Sequence, residues 1–325
     1  MIINLLKIKI LPKLVVQTNQ ERKNLMVPQD KIIEIFCSVD DFCEAFEKEL
    51  KTHQISDGKP KRNRAFTMST SEVITICIMF HLGGFRNFKH FYLGYVCQHL
   101  HEDFPKVVSY NRFVELMQRS LLAMVVYLKT CRGAECTGIS FIDSTPIRVC
   151  HNRRIHNHKV FAGIAERGHC SIGWFFGFKL HSVINDKGEI LGFVLTQGNV
   201  DDRNPLIGTN ILKNVWGKLF GDKGYLSQKV FESLFIDGIQ LITKIRSNMK
   251  NSLMSLSDKI YLRKRAIVES MIDELKNICQ IEHSRHRSFK NFIVNLISGL
   301  IAYSFFPKKP SIKFEKVNTP QLSLF

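Results

Sequence analysis

Residues 173–197, GWFFGFKLHSVINDKGEILGFVLTQ, predict the centre of the fold. Two runs rich in aromatic and β-branched residues, Gly173–Asn185 and Glu189–Thr196, are typical of β-strands. The Asp186-Lys187-Gly188 sequence between them favours a tight hairpin turn. The stretch therefore indicates two antiparallel strands that lie side by side in one sheet.

Strands and helices continue on both sides of this hairpin. Further strands are predicted at Ile139–Cys150, Lys218–Tyr225 and Ile239–Ile245, and helices at Pro205–Trp216, Arg263–Ile281 and Phe289–Phe305. Three antiparallel strands followed by alternating helices and strands predict the α/β class, with a mixed sheet flanked by helices.

The N-terminal third of the chain has the pattern of an all-helical domain. Ser69 and Glu72 have the spacing of a helix capping box, directly before an apolar run. Compact helical units can place a helix in a DNA groove, so we expect DNA-end binding here, with plain packing as the alternative. The predicted helices cover residues 30–51, 73–82, 87–101 and 109–130.

The predictions divide the chain into four parts. Residues 1–27 are expected to be a poorly ordered or non-native extension, with Met26 as a second possible start of translation. Residues 28–132 form the helical domain, residues 133–307 the α/β domain, and residues 308–325 a C-terminal tail.

The composition indicates a globular protein that binds a polyanion. The 325 residues include 46 Lys and Arg against 29 Asp and Glu, a formal net charge of +17. Nucleic acid is the expected partner of such a basic chain. The 45% hydrophobic content excludes a disordered or low-complexity chain. Uninterrupted apolar runs are too short for a membrane span, and nine irregularly spaced cysteines indicate a reducing compartment rather than a disulfide scaffold.

Three acidic residues stand at positions where a carboxylate is costly unless it is paired, protonated or metal-bound. Asp143 lies in SFIDSTPI after an apolar run, Asp222 lies in LFGDKGYL at a strand end, and Glu269 lies in the helical RKRAIVESMIDELK. Carboxylate oxygens suit Mg²⁺, and two such ions can hold both oxygens of a phosphoryl displacement. Taken singly, each acid is also explained as a cap, turn or salt-bridge residue.

The helix around Glu269 carries two cations near that carboxylate. Arg265, Glu269 and Lys276 share one helix face within roughly 40°. Cations beside a metal-binding carboxylate are well placed for DNA phosphates. The alternative is an ordinary i,i+4 ion pair between Arg265 and Glu269.

These motifs resemble a known family. FIDSTPI, GDKGY and R-x3-E-x6-K are similar to the three catalytic blocks of DDE transposases of bacterial insertion sequences, with 78 residues between the first two acids and 46 between the second pair. The pattern over residues 28–307 is most similar to the insertion sequence 982 family. One departure concerns a Tyr that the wider group has three residues before the Arg; Leu262 stands there, and Tyr261 lies one residue earlier.

The resemblance implies an RNase H-like mixed sheet and a DNA transposase. The expected reaction is metal-dependent cleavage at the ends of the element, followed by transfer of the freed 3′-OH into target DNA. Asp143, Asp222 and Glu269 would be the catalytic residues and would hold two Mg²⁺ ions, with Mn²⁺ as a substitute.

The resemblance also implies partners and a location. The expected partners are double-stranded DNA, as element ends and as target, and further copies of the chain in a homodimer or higher oligomer. The expected location is the bacterial cytoplasm, at the nucleoid. The candidate DNA contacts are Lys179, His181, Lys223, Tyr225, Arg265 and Lys276.

Two other functions stay open. An RNase H-like nuclease would use the same acids without strand transfer. A catalytically idle, transposon-derived protein would bind DNA only.

Several residues have competing interpretations. Lys179 and His181 share one strand face, which lies either near DNA or at a solvent-facing polar edge. Residues 148–161 are basic and predicted to form a loop that contacts phosphates. Trp174 and the Phe175-Phe176 pair are explained more simply by a sheet core than by stacking on bases.

Two further groups of residues could bind a metal by residue type, but their patterns favour other roles. Cys150 and the nearby histidines, His151, His156 and His158, match no structural zinc template. Asp201 and Asp202 are expected to cap the helix that opens near Pro205.

Overall fold

The computed structural model describes residues 27–53, 67–171, 173–244, 254–282 and 286–312. The predicted N-terminal extension, apart from Val27, and residues 313–325 of the predicted tail lie outside the described residues. Among the helices of the described ranges, none combines the length and the apolar character needed to cross a bilayer.

The N-terminal helices form as predicted. The capping box at the second helix is confirmed: Ser69 Oγ accepts a hydrogen bond from the Glu72 amide at 3.1 Å, and Glu72 Oε2 accepts one from the Ser69 amide at 2.7 Å. A π-helical turn, Tyr92–Val96, interrupts the third helix. The helices are α1 Gln29–His53, α2 Thr70–Leu82, α3 at 88–99 and α4 Tyr110–Thr130.

The sheet is mixed, as predicted. β3 pairs antiparallel with β1 and β4, while β1 pairs parallel with β5, and β5 with β6. The strand order is β2-β3-β1-β5-β6, and β4 also pairs with β3. The strands are β1 Ile139–Cys150, β2 Glu166–Cys170, β3 Gly173–Asn185, β4 Ile190–Gln197, β5 Gly217–Gly221 and β6 Ile239–Thr243.

Helices cover both faces of this sheet. The later helices are α5 Asn204–Gly208, α6 Gln228–Ile236, α7 Leu256–Lys264, α8 Ala266–Asp273 and α9 Phe289–Ser304. One sheet face, which includes Phe141 and Phe220, shares a core with α2, α4, α8 and α9. The opposite face, which includes Ile142 and Leu219, packs beneath α5 and α6.

The N-terminal helices share their core with the sheet. α9 packs against both α2 and α4, and one continuous cluster of buried side chains includes all three helices and the first sheet face. Arg132 ties the end of α4 to the end of α9, because its guanidinium donates to the Ser304 carbonyl at 2.8 Å. The predicted helical and α/β domains are therefore continuous in their hydrophobic core.

Several elements differ from the sequence predictions. The strand predicted at Lys218–Tyr225 ends at Gly221 and is followed by a 3₁₀ turn, and no residue bounds were predicted for α6. β2 was not predicted, because Glu166–Cys170, ERGHC, lacks the alternating apolar residues of a strand. The helix predicted from Pro205 ends at Gly208, where Thr209 adopts an extended backbone. The helix predicted from Arg263 begins seven residues earlier, at Leu256 with Ser255 as its cap, and is interrupted at Arg265.

A buried histidine joins α2 to the segment after α8. His81 is buried, and its Nδ1 donates a hydrogen bond to the Cys279 carbonyl oxygen at 2.5 Å. Burial lowers the pKa of His81 from 6.5 to about 4, because the core disfavours a charged imidazolium. Burial, together with the charge of His81, also lowers the pKa of His286 to about 4.

We expect the free energy of unfolding to fall as the pH drops from about 6.5 towards 4. In this window the unfolded chain binds protons at both imidazoles and the folded chain does not, so each contributes a slope of about 1.4 kcal/mol per pH unit. Above the imidazole pKa of the unfolded chain, about 6.5, neither histidine lowers the free energy of unfolding. Urea unfolding between about pH 7 and 5 measures the slope. Burial also lowers the pKa of His181 to about 4, which adds a third contribution of the same sign, while the raised pKa of Asp143 contributes with the opposite sign. His81→Gln should therefore remove about a third of the histidine contribution, and an unchanged slope would refute the assignment.

Candidate active site

Asp143 and Asp222 lie at the same end of two neighbouring parallel strands. Phe141 of β1 is paired with Phe220 of β5, and their rings stack with centroids 5.5 Å apart. Each aspartate stands two residues after one of these phenylalanines. Because side chains alternate along a strand, the Asp143 carboxylate points to the sheet face that α8 covers. The negative charge of Asp222, directly after β5, acts on this carboxylate. The parallel pairing therefore places these two acids side by side.

Arg265 connects Glu269 to this pair. Its guanidinium contacts Asp143 Oδ2 at 3.3 Å through Nη1 and Glu269 Oε1 at 2.7 Å through Nη2. Arg265 lies between α7 and α8, so both the i,i+4 contact and the contact to β1 are within its reach. The predicted ion pair is present, and the same arginine also pairs with Asp143.

The carboxyl group of Asp143 has a perturbed pKa. Burial raises the pKa of Asp143 from 3.8 to about 6, and the negative charges of Glu269 and Asp222 act in the same direction. Arg265 and the Ser144 amide, which donates to Asp143 Oδ1 at 2.9 Å, oppose this shift. The three acids therefore interact electrostatically with one another, and their combined charge is only partly balanced.

The donor chemistry of this cluster fits a divalent cation. Its ligand atoms are carboxylate oxygens, which Mg²⁺ and Mn²⁺ accept. The mutual repulsion around Asp143 is what a bound cation would relieve. Over the described ranges, however, no three Asp, Glu, His or Cys residues are arranged closely enough to hold an ion as they stand. Arg265 occupies the position between Asp143 and Glu269.

Lys276 also reaches β1, but it is engaged by the protein itself. Its Nζ donates to the Pro146 carbonyl at 2.8 Å and pairs with Glu282 at 3.2 Å. Glu282 in turn accepts a hydrogen bond from the Arg148 amide at 3.0 Å. Lys276 and Glu282 thus fasten the segment after α8 to β1, a role for Glu282 that the sequence analysis missed and that no local motif signals.

Two predicted DNA contacts on β3 lie on the opposite sheet face, where His181 is buried and Lys179 is partly buried. His181 is fully buried, and its Nε2 lies 2.9 Å from Thr196 Oγ1. Lys179 donates to Asp202 at 3.0 Å and to the Val200 carbonyl at 2.9 Å. The solvent-facing alternative is wrong for His181, which is fully buried, and the Lys179 side chain is only 12% exposed because the segment before α5 binds its ammonium. Neither side chain is exposed to a DNA phosphate in this conformation.

Tyr225 and Lys223 follow Asp222 in a 3₁₀ turn and have different environments. Tyr225 is buried, and its pKa is held well above 10 by burial and by the negative charges of Asp143 and Asp202. Lys223 is exposed beside Asp222. Lys223 is therefore the one of these two residues whose side chain DNA can reach.

Tyr261 packs against the aromatic residues that precede the two aspartates. Its ring lies 5.5 Å from the ring of Phe220, which stacks on Phe141. These three aromatic residues join α7, β5 and β1 directly beneath the two aspartates. The sequence analysis left the role of Tyr261 open, and the structure shows a packing contact.

The remaining residues singled out in the sequence are two aspartates before α5, three aromatic residues of β3 and the basic loop after β1. The capping role predicted for Asp201 and Asp202 is wrong, because α5 begins after Arg203 without a side-chain cap hydrogen bond. Asp201 accepts from the Arg203 amide at 2.9 Å, outside the helix, and Asp202 pairs with Lys179. Phe175 and Phe176 are buried in the sheet core as predicted, but Trp174 is 64% exposed, so the core interpretation is wrong for it. Residues 152–157 of the basic loop form an exposed 3₁₀ segment. Its histidines and Cys150 form no ligand group for a metal within the described residues.

Comparisons with known proteins give one family. Residues 133–289, just under half of the chain, match the family model described as a transposase DDE domain. This range includes all three acids. No curated protein matches the chain. Among solved structures, the piggyBac transposase synaptic complex with hairpin DNA is similar to this chain, with a TM-score of 0.44 and 11% identity, over 88% of this chain and 76% of that one.

Proposed function

We propose that this chain is a DDE transposase that cleaves DNA at the ends of its own element and transfers the freed 3′-OH into target DNA. One observation carries the proposal: Asp143 and Asp222 lie side by side at the ends of parallel strands, and Arg265 joins Glu269 to Asp143. The match of residues 133–289 to the transposase DDE domain supports it. The strand order also suits the RNase H-like core that we propose for these residues.

The three acids would serve as ligands. Asp143, Asp222 and Glu269 would hold two Mg²⁺ ions, which when bound would activate the attacking oxygen and stabilise the leaving oxygen. Arg265 now balances Asp143 and Glu269, so it would be free to contact a DNA phosphate once another cation satisfies these acids. Exposed Lys223 would contact the backbone beside Asp222.

The partners and setting of the reaction follow from the proposed function. The net charge of +17 supports binding to double-stranded DNA. Two element ends must be held together for transfer, so we propose a homodimer or a higher oligomer. We further propose membership of the insertion sequence 982 family and a place in the bacterial cytoplasm.

Cleavage of DNA that carries the flanking ends of the gene tests the proposal. With Mg²⁺ or Mn²⁺ we expect nicks at the element boundary and joined products in a target plasmid, and with EDTA we expect neither. Asp143→Asn keeps the size of the side chain and should abolish both reactions. Nicks without joined products would favour the nuclease, and tight binding of the ends without nicks would favour the idle DNA-binding protein.

A further inference from the structure

Trp174 is exposed because β3 extends past its neighbour β1. The pairing of β3 with β1 stops at Phe176 and Cys150, whereas its pairing with β2 continues to Gly173 and Cys170. Trp174 therefore lies on a two-stranded hairpin that projects beyond β1. It is 64% exposed, while the next residue, Phe175, is 1% exposed.

Two residues of β2 share the face of Trp174. His169 is paired with Trp174 and Arg167 with Phe176, and residues opposite each other in an antiparallel pair lie on the same face. Both Arg167 and His169 are exposed. The His169 ring contacts the indole at 5.1 Å between centroids and 70° between planes. This contact supports the indole at the surface of the hairpin.

The 3₁₀ segment Asn152–Asn157 adds cations next to the indole. Asn152 Nδ2 donates to the Trp174 carbonyl at 2.8 Å, which ties the segment to the hairpin. Arg153 and Arg154 follow directly and are exposed. We name Arg153, Arg154, Arg167, His169 and Trp174 together the hairpin surface. Glu166 is the only acid between residues 148 and 174, against five arginines and lysines.

We propose that the hairpin surface binds nucleic acid, with Trp174 stacked on an unpaired base and the arginines on the adjacent phosphates. An exposed aromatic ring among cations is the combination that binds single strands with little sequence preference. Bases inside a duplex already stack on both faces, so the indole requires an unpaired base. The identity of the ligand as DNA rests on the proposed function.

The hairpin surface lies far from the acids along β1. Cys150 is seven residues beyond Asp143, about 23 Å at 3.3 Å per residue, and Trp174 lies about two residues farther along the sheet. The distance from Asp143 to the indole is therefore about 30 Å, or about nine base pairs of B-DNA. The contact is thus separate from the candidate active site.

Single-tryptophan variants test the stacking directly, because Trp174 and Trp216 are the two tryptophans of the chain. Trp216 is 58% exposed and precedes β5 at the opposite end of β1, so it provides a matched control. Trp216→Phe leaves Trp174 as the reporter, and Trp174→Phe leaves Trp216. Each full-length variant is titrated in EDTA with a duplex that has a single-stranded extension, with a blunt duplex, and with heparin as a polyanion without bases.

We expect the single-stranded extension to quench Trp174 fluorescence, and heparin and the blunt duplex to leave it unchanged. Trp216 fluorescence should not respond to any of the three. Trp174→Ala should weaken binding to the extension by roughly 5- to 160-fold, the effect of one base stack, whereas Trp216→Ala should not. Arg153→Ala with Arg154→Ala should reduce the salt slope of single-strand binding by about 1.4.

The remaining outcomes separate this inference from the proposed function. Equal quenching by heparin or by the blunt duplex would overturn base stacking, and unchanged affinity in Trp174→Ala would overturn the hairpin surface as a binding site. Either result leaves DNA cleavage by the acids untouched. Conversely, quenching by the extension in a protein that cuts no DNA would refute the transposase and keep the nucleic-acid contact.

Discussion

Asp222→Ala should lower DNA cleavage by at least about 100-fold without destabilising the fold. Mutation of a residue that only hydrogen-bonds a metal ligand typically lowers metal affinity or activity by about 10- to 100-fold. Loss of a ligand itself should lower activity further. Asp222 is exposed, its side chain makes no cap hydrogen bond to the 3₁₀ turn that follows it, and removal of its charge relieves repulsion at Asp143. The measurement is cleavage of labelled element ends under single-turnover conditions, together with DNA affinity and the melting temperature.

Asp237→Ala is the matched control for this variant. Asp237 is an exposed aspartate that follows α6, as Asp222 follows β5. We expect wild-type cleavage from it. Equal cleavage by Asp222→Ala and Asp237→Ala would remove Asp222 from the candidate active site and undo the assignment of the three acids.

Phe220→Ala should reduce the free energy of unfolding by about 3–5 kcal/mol. Phe220 is fully buried between the rings of Phe141 and Tyr261, and truncation leaves a cavity that these rings cannot fill. Denaturant unfolding measures the loss. Because Phe141 and Phe220 each precede one of the two aspartates by two residues, cleavage should also decrease under conditions in which the variant is folded.

Phe235→Ala compares the same truncation at a surface position. Phe235 is 66% exposed on α6, where it stacks on Phe231. Its truncation should cost less than about 1 kcal/mol. Similar losses in the two variants would show that the aromatic stack under the aspartates does not carry the stability assigned to it.

The order of the elements and of the acids could be predicted from the sequence because the signals are local. Alternating apolar residues, the Asp186-Lys187-Gly188 turn and the Ser69 capping box each act over a few residues, and all three appear in the structure. The i,i+4 pair of Arg265 and Glu269 belongs to the same class. In such cases the physical cause lies within one element.

Other features depended on contacts between distant parts of the chain. The two-residue period placed Lys179 and His181 on one face, but it could not show that α5 and α6 would cover that face. β2 exists because β3 offers it an unpaired edge, which its own residues do not indicate. The exposure of Trp174 depends on where β1 ends, and the contact between Arg265 and Asp143 joins residues 122 positions apart.

Arg265 also changes what the carboxylate cluster requires during folding. A guanidinium supplied by the chain itself acts as an internal counter-ion for Asp143 and Glu269, at 3.3 Å and 2.7 Å. Domains built around a structural zinc ion lack such a substitute and stay unfolded until the ion arrives. If the acids hold the proposed ions, they would be assembled first and loaded afterwards, so folding and ion uptake would be independent events.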